Sequence, residues 1–109
     1  MILSTTDTVE DRPTIKVLGV VSGSTIRARH VGKDITALFR NLVGGEVSEY
    51  TSLLAQSREQ ALQRMKDVAV EKGANAIVGM RFMTSMVAQG SAEILAYGTA
   101  VVVLDDKGE

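Results

Sequence analysis

Two long apolar runs near the C-terminus constrain the fold more than any other feature of this chain. They are "NAIVGMRFMTSMVA" (75–88) and "AEILAYGTAVVVL" (92–104), joined by the short connection Gln89-Gly90-Ser91. A glycine-containing link of this length between two strand-like runs reads as a β-hairpin. Each arm would span roughly 40 Å as an extended strand, longer than usual. Alternation along the first arm puts Ala76, Val78, Met80, Phe82, Met86 and Ala88 on one face. Ile77, Gly79, Met83 and Val87 fall on the other, with Arg81 among them. On the second arm Ile94, Ala96, Ala100, Val102 and Leu104 oppose Leu95, Tyr97, Val101 and Val103. A half-buried antiparallel strand alternates apolar with polar, and these arms are apolar on both sides. Both faces therefore need cover. Helices can supply it on one. For the other, a second copy of the chain is the economical candidate, and a smaller sheet made by the same subunit is the alternative. On the first of these readings Ile77, Val87, Leu95, Val101 and Val103 form an oligomer interface, since a lone subunit would leave them in water.

The cover for the first face lies just upstream. From about Glu46 to Lys72, Tyr50, Leu54, Ala61, Met65, Val68 and Ala69 form one stripe at helical spacing, widened by Leu53 and Leu62. The segment is rich in good helix formers. Gly73 supplies the left-handed residue that ends it, so the helix should cover 48–72 and Gly73 should have positive φ. Ahead of it, Ile35, Leu38, Phe39, Leu42 and Val43 predict a short helix, with Asp34 as N-cap and Gly44-Gly45 as its stop. Residues 14–30 are rich in β-branched side chains and read as a strand, entered through Pro13, with "SGS" (22–24) marking a bulge or bend. Residues 2–6 could add a short strand. The fold class is α+β: an antiparallel sheet from about 14–30, 75–88 and 92–105, with the long and short helices on one face. Its core should contain Val17, Val20, Phe39, Leu54, Ala61, Met65, Val78, Ile94, Ala100 and Val102.

At 109 residues this is one domain, 1–109. Twelve basic and thirteen acidic side chains leave a net charge of −1, and aromatics are 4%. Neither a nucleic-acid field nor a base-stacking platform follows from that. The absence of cysteine removes disulfides, thiolate metal sites and thiol nucleophiles. The N-terminus lacks the pattern of a signal peptide and no apolar run reaches membrane-spanning length. The expected location is the cytoplasm.

Chemistry-bearing residues are sparse. His30, the one histidine, has no accompanying partner motif and reads as an exposed or capping side chain. Met65, Met80, Met83 and Met86 have the spacing of core or interface packing rather than of a copper site. "GGEVSEY" (44–50) lacks the Lys-Ser/Thr signature of a phosphate loop, and its glutamates would repel an anion. Arg27 and Arg29 share a strand face, possible anion ligands together with Lys16, although charge on an edge strand is the commoner role. Tyr50 could orient a ligand in an inter-subunit groove, although a tyrosine bonded to backbone is commoner. No Ser-His-Asp, Cys-His or paired-carboxylate arrangement can be assembled. No catalytic residue, cofactor or metal ligand is assigned.

"GVVSG" (19–23), "LFRNLVGG" (38–45), Tyr50 with the long helix, "GANAIVG" (73–79) and "YGTAV" (97–101) occur here in one order. Together they resemble the YbjQ-like family of small bacterial proteins over nearly the whole chain. The resemblance implies a β-α-β-β subunit of dodecin-like type, assembling through its sheets into a ring, with five as the copy number. Gly44, Gly45, Gly73 and Gly79 are read as structural glycines. The family carries a heavy-metal-binding label, but its members often have acidic residues just after the "VG", where this chain has Arg81 and Met83. They also often have glutamate where Ser24 stands. Losing carboxylates and gaining a cation lowers metal affinity.

The expected function is therefore that of a non-enzymatic homo-oligomer, an assembly or small-molecule-binding protein. Weak candidate ligand contacts are Tyr50, Arg27, Arg29 and Arg81. The partner is the chain itself, with no nucleic acid and no membrane. The alternatives are a metal-binding module, or an enzyme acting on a small anionic substrate at a subunit interface.

Overall fold

The structure, a computed structural model, describes residues 1–27, 47–88 and 91–104. In chain order these form β1 (Ile2–Leu3), β2 (Thr14–Arg27), a helix α1 (Val47–Glu71), β3 (Ala76–Ala88) and β4 (Ser91–Val103). The four strands make one sheet in the order β1-β3-β4-β2. The β3–β4 hairpin and the β4–β2 pair are antiparallel, as expected. β1 pairs parallel with β3, so the α+β fold has a mixed sheet. The predicted short helix, with Asp34, Phe39, Gly44 and Gly45, lies outside the described residues.

α1 forms where the helical stripe was read. Ala61, Met65 and Ala69 are fully buried, Ser57 is buried beside them, and Leu54, Leu62 and Val68 are partly buried. The helix lies over β2 and β4 and barely touches β3. Its end is a Schellman motif: Ala74 N–H donates to Ala69 O (3.0 Å) and Gly73 N–H to Val70 O (2.9 Å). Gly73 has φ +87°, as the helix stop predicts. Under the helix, Val21, Ile77, Ile94, Ala96 and Ala100 complete the main core. A fully buried side chain such as Met65 or Ile77 contributes about 1.5–3 kcal/mol.

The approach of α1 to the sheet is set by Gly23. A Cβ built there would lie 2.3 Å from Met65 N and 2.4 Å from Ala61 O, both helix backbone atoms. The "SGS" stretch is thus neither bulge nor bend: Ser22, Gly23 and Ser24 pair in register with Tyr97, Ala96 and Leu95. The bulge sits earlier, where Val17 opposes Val101 but Gly19 opposes Ala100, and Gly19 has φ +112°. The extra residue inverts the alternation. Leu18 packs on the helix side, while Val17 and Val20 come to the other face at 64% and 75% exposure. Their expected place in the core is therefore wrong, and Val21 fills it.

A second register shift lies between Val78 and Arg81 on β3. Upstream of it Ile77 faces the helix, and Ala76 and Val78 face away. Downstream, Phe82 opposes Ala96 and Thr84 opposes Ile94, so the helix side continues through Met80, Phe82 and Thr84. Of the other expected core residues, Ala61, Met65, Val78, Ile94 and Ala100 are buried, and Leu54 and Val102 are half-buried.

The face away from α1 has its own small core of Ala76, Val78, Val101 and Val103, covered by Ile2 and Val9. This corrects the expectation that a single subunit leaves Ile77, Val101 and Val103 in water: all three are at most 2% exposed within one chain. Ile77 lies under the helix. Val101 and Val103 lie under the N-terminal segment, so the same subunit supplies their cover, though with an edge strand of the one sheet and its loop rather than with a second, smaller sheet.

Gly23→Ala should destabilise the protein by about 1–3 kcal/mol or more, because helix backbone must move to admit the methyl group. A urea titration in which the Gly23→Ala midpoint matched that of the wild type would show that the helix is not held at this point. Gly73→Val should cost about 1–2 kcal/mol through its positive φ alone, read the same way.

Candidate functional site

The N-terminal segment is bound to the sheet as a strap. Ile2 N–H donates to Asn75 O (3.0 Å) and Ser4 N–H to Ile77 O (2.9 Å). In return Gly79 N–H donates to Thr6 O (2.8 Å) and Met80 N–H to Ser4 O (3.0 Å). Gly79, with φ +62°, sits in the β3 register shift where these bonds are made. The Arg81 guanidinium adds a side-chain tie, donating to Thr5 O (2.9 Å) and to Met80 O (2.8 Å). At the other end Arg12 donates to Leu104 O (3.3 Å) and Leu104 N–H to Pro13 O (3.2 Å).

Asn75 is the hub that sequence reading missed. Its Nδ2 donates to Val103 O and its Oδ1 accepts from Val103 N–H, each at 2.8 Å. Its own N–H donates to Val101 O (3.2 Å). One part-buried amide therefore binds the start of β3 to β4, while its carbonyl receives the strap. An asparagine next to a helix stop reads as turn chemistry, which hid this role.

The strap itself forms an open cavity of about 530 Å³, lined by Ile2, Leu3, Ser4, Thr6, Thr8, Val9 and Glu10. Two of its hydroxyls are occupied locally: Ser4 Oγ bonds Thr6 Oγ1, which also donates to Thr8 O. Beyond the strap the outer face is open. Rows across it read Val20–Thr99–Val78, Ser22–Tyr97–Arg81 and Ser24–Leu95–Met83. Val20 and Met83 are exposed, and Tyr97 and Leu95 half-buried.

Arg81 acts as a tie to the strap. Arg27 ends β2 opposite Ala92, and Lys16 lies opposite Val102; along one strand they are roughly 35 Å apart. Tyr50 falls in the first turn of α1. Arg29 and His30 lie outside the described residues. Of the methionines, Met65 is core, Met80 packs partly against it, and Met83 and Met86 are 53% and 77% exposed.

Residues 1–104 match the YbjQ-like family, whose description reads "Putative heavy-metal-binding". The chain belongs to this family. A UPF0145 protein of Clostridioides difficile (strain 630) is 55% identical over 106 residues, covering 97% of this chain and 95% of the relative. A UPF0145 protein of Methanosarcina acetivorans is 52% identical over 105 residues, covering 96% and 99%. Among solved structures, a protein of unknown function of the DUF74 family from Pediococcus pentosaceus superposes with a TM-score of 0.58. At 16% identity, over 95% of this chain and 98% of that one, the likeness is one of fold.

The family's description names a metal, and the described side chains do not fit one. Among the described residues no three of His, Cys, Asp or Glu come together. The donors a zinc or copper site needs are replaced near β3 by an arginine engaged with backbone carbonyls. Among the same residues no helix is long and apolar enough to cross a membrane.

Asn75→Ala should cost about 1–3 kcal/mol, since it leaves Val103 N–H and C=O without their partner. Arg81→Ala should speed amide exchange at Gly79 and Met80 while leaving α1 unchanged. Equal exchange at those amides in wild type and variant would show that Arg81 does not hold the strap.

Proposed function

We propose that this YbjQ-like chain is a non-enzymatic cytoplasmic protein that works as an assembly of identical subunits, with any small ligand held between them. The observation that carries the reading is the uncovered apolar part of the outer sheet face. Val17 and Val20 on β2 and Met83 on β3 are each more than half exposed, beside half-buried Leu95 and Tyr97. The strap covers the neighbouring Val101 and Val103, so the chain pays for cover on one half of this face and leaves the other bare. Soluble monomers seldom expose contiguous apolar patches of this kind. The family resemblance makes a ring of five the expected form. No triad, dyad or activated nucleophile competes with this reading among the described residues.

Sedimentation velocity over a dilution series should give one species well above 11.6 kDa. A monomer at every concentration would remove the proposal. Val20→Glu is the sharper probe. Val20 is 75% exposed in the single chain, so the substitution should leave the fold within about 0.5 kcal/mol of wild type. It should nonetheless dissociate the assembly by burying an unpaired carboxylate at the contact. Val101→Asp would not serve, because Val101 belongs to the core of its own chain.

A further inference from the structure

The face of the sheet away from α1 carries one row of polar side chains that the chain itself leaves largely unused. Ser22, Tyr97 and Arg81 stand side by side on β2, β4 and β3, each directly opposite its neighbour. Side chains paired in this way have Cβ atoms about 4.5–5.5 Å apart, so the three can reach one bound group. Ser22 and Arg81 are exposed and Tyr97 is half-buried. Among the described residues neither the Ser22 nor the Tyr97 hydroxyl has a hydrogen-bond partner.

The Arg81 guanidinium is held in place and only partly used. Its Nη1 donates to Thr5 O and Met80 O at 2.9 and 2.8 Å. Two carbonyls on one nitrogen orient the group before any ligand arrives, which lowers the ordering cost of binding. A guanidinium has five N–H donors in a rigid fork. Those on Nε and Nη2 have no partner among the described residues, and no described carboxylate pairs with the charge. Glu93, the acid on the same face of β4, opposes Ile26 and Ser85. It stands four residues from Tyr97, roughly 13 Å along the strand.

Around the row the face is apolar. The next row toward the hairpin is Ser24–Leu95–Met83, with Leu95 half-buried and Met83 53% exposed. Resting on the reading above that a small ligand is held by this face, we infer that the Ser22–Tyr97–Arg81 row binds a small monocarboxylate with an apolar body. The carboxylate accepts a pair of N–H bonds from the free Nε and Nη2 edge of Arg81. The Tyr97 and Ser22 hydroxyls donate to it as well. The apolar body lies across Leu95 and Met83, where a ring gains from contact with the thioether. One guanidinium with no second cation beside it matches a single negative charge. A longer polyanion would run toward Glu93, and a bare inorganic anion would leave the apolar surround uncovered. Every group of the site comes from one chain, so binding and assembly are measured separately.

Isothermal titration calorimetry of the wild-type chain with 3-phenylpropionate should show saturable binding with a Kd of about 1 mM or below. Two controls divide its chemistry: 3-phenylpropan-1-ol has the body without the charge, and inorganic phosphate has charge without the body. Each should bind about tenfold more weakly or worse. Tyr97→Phe and Arg81→Gln should each weaken the carboxylate by about tenfold. Tyr97→Phe keeps the ring and leaves the strap tied, so amide exchange at Gly79 and Met80 should match wild type in that variant. Equal affinity for 3-phenylpropionate in wild type and both variants would overturn the site, as would phosphate binding as tightly as the carboxylate. A wild-type oligomer that takes up no 3-phenylpropionate at about 10 mM overturns the site and leaves the assembly standing. A monomer that binds it, with the expected loss in Tyr97→Phe, keeps the site and removes the assembly.

Discussion

The contact between Gly23 and the backbone of α1 is the constraint on which the rest of this fold depends. With a Cβ position 2.3 Å from Met65 N, β2 and the helix meet backbone to backbone, closer than any side chain would allow. That approach lets small residues, Ala61, Ala69, Ala96 and Ala100, close the core. It also centres the helix over β2 and β4, so that β3 runs out from under it. The bare outer half of β3 thus follows from where one glycine sits.

The opposite face shows a division of labour. The strap brings Ile2 and Val9 onto Val78, Val101 and Val103, and is held by backbone ladder bonds, the Arg81 tie and the Asn75 hub. These bonds satisfy polar groups that apolar cover would otherwise strand. The strap stops short of β2 and of the far half of β3, and there the apolar side chains remain in water. A subunit built this way covers its own apolar side chains at one end of its sheet and leaves them exposed at the other.

A metal-binding role would need donors brought together, and among the described residues the topology separates them. Asp7, Glu10 and Asp11 lie on the strap, Glu93 on β4, and Glu59, Asp67 and Glu71 on α1. After the "VG" this chain has a guanidinium that ties backbone carbonyls. The residue at that position serves the fold.

Local chemistry was legible in the sequence. The stop at Gly73, the extent of α1, the β3–β4 hairpin and the apolar excess of its arms all follow from period, propensity and turn residues acting over a few neighbours. The faces were not legible. One extra residue at Leu18–Gly19 and another near Gly79–Met80 each invert the alternation, and a period-two pattern read without its partner strand carries no sign of such a slip. That is why Val17 and Val20 were assigned to the core and Ile77 to the outside. The strap and the Asn75 hub join residues some seventy or more positions apart in several of their bonds, and no local pattern announces them. The sequence by itself determined which segments bend, extend or coil, because those choices are made by each residue's own backbone and nearest neighbours. Only the tertiary structure decided which apolar surfaces the chain covers for itself and which it leaves exposed, because burial depends on what packs against a residue across the fold.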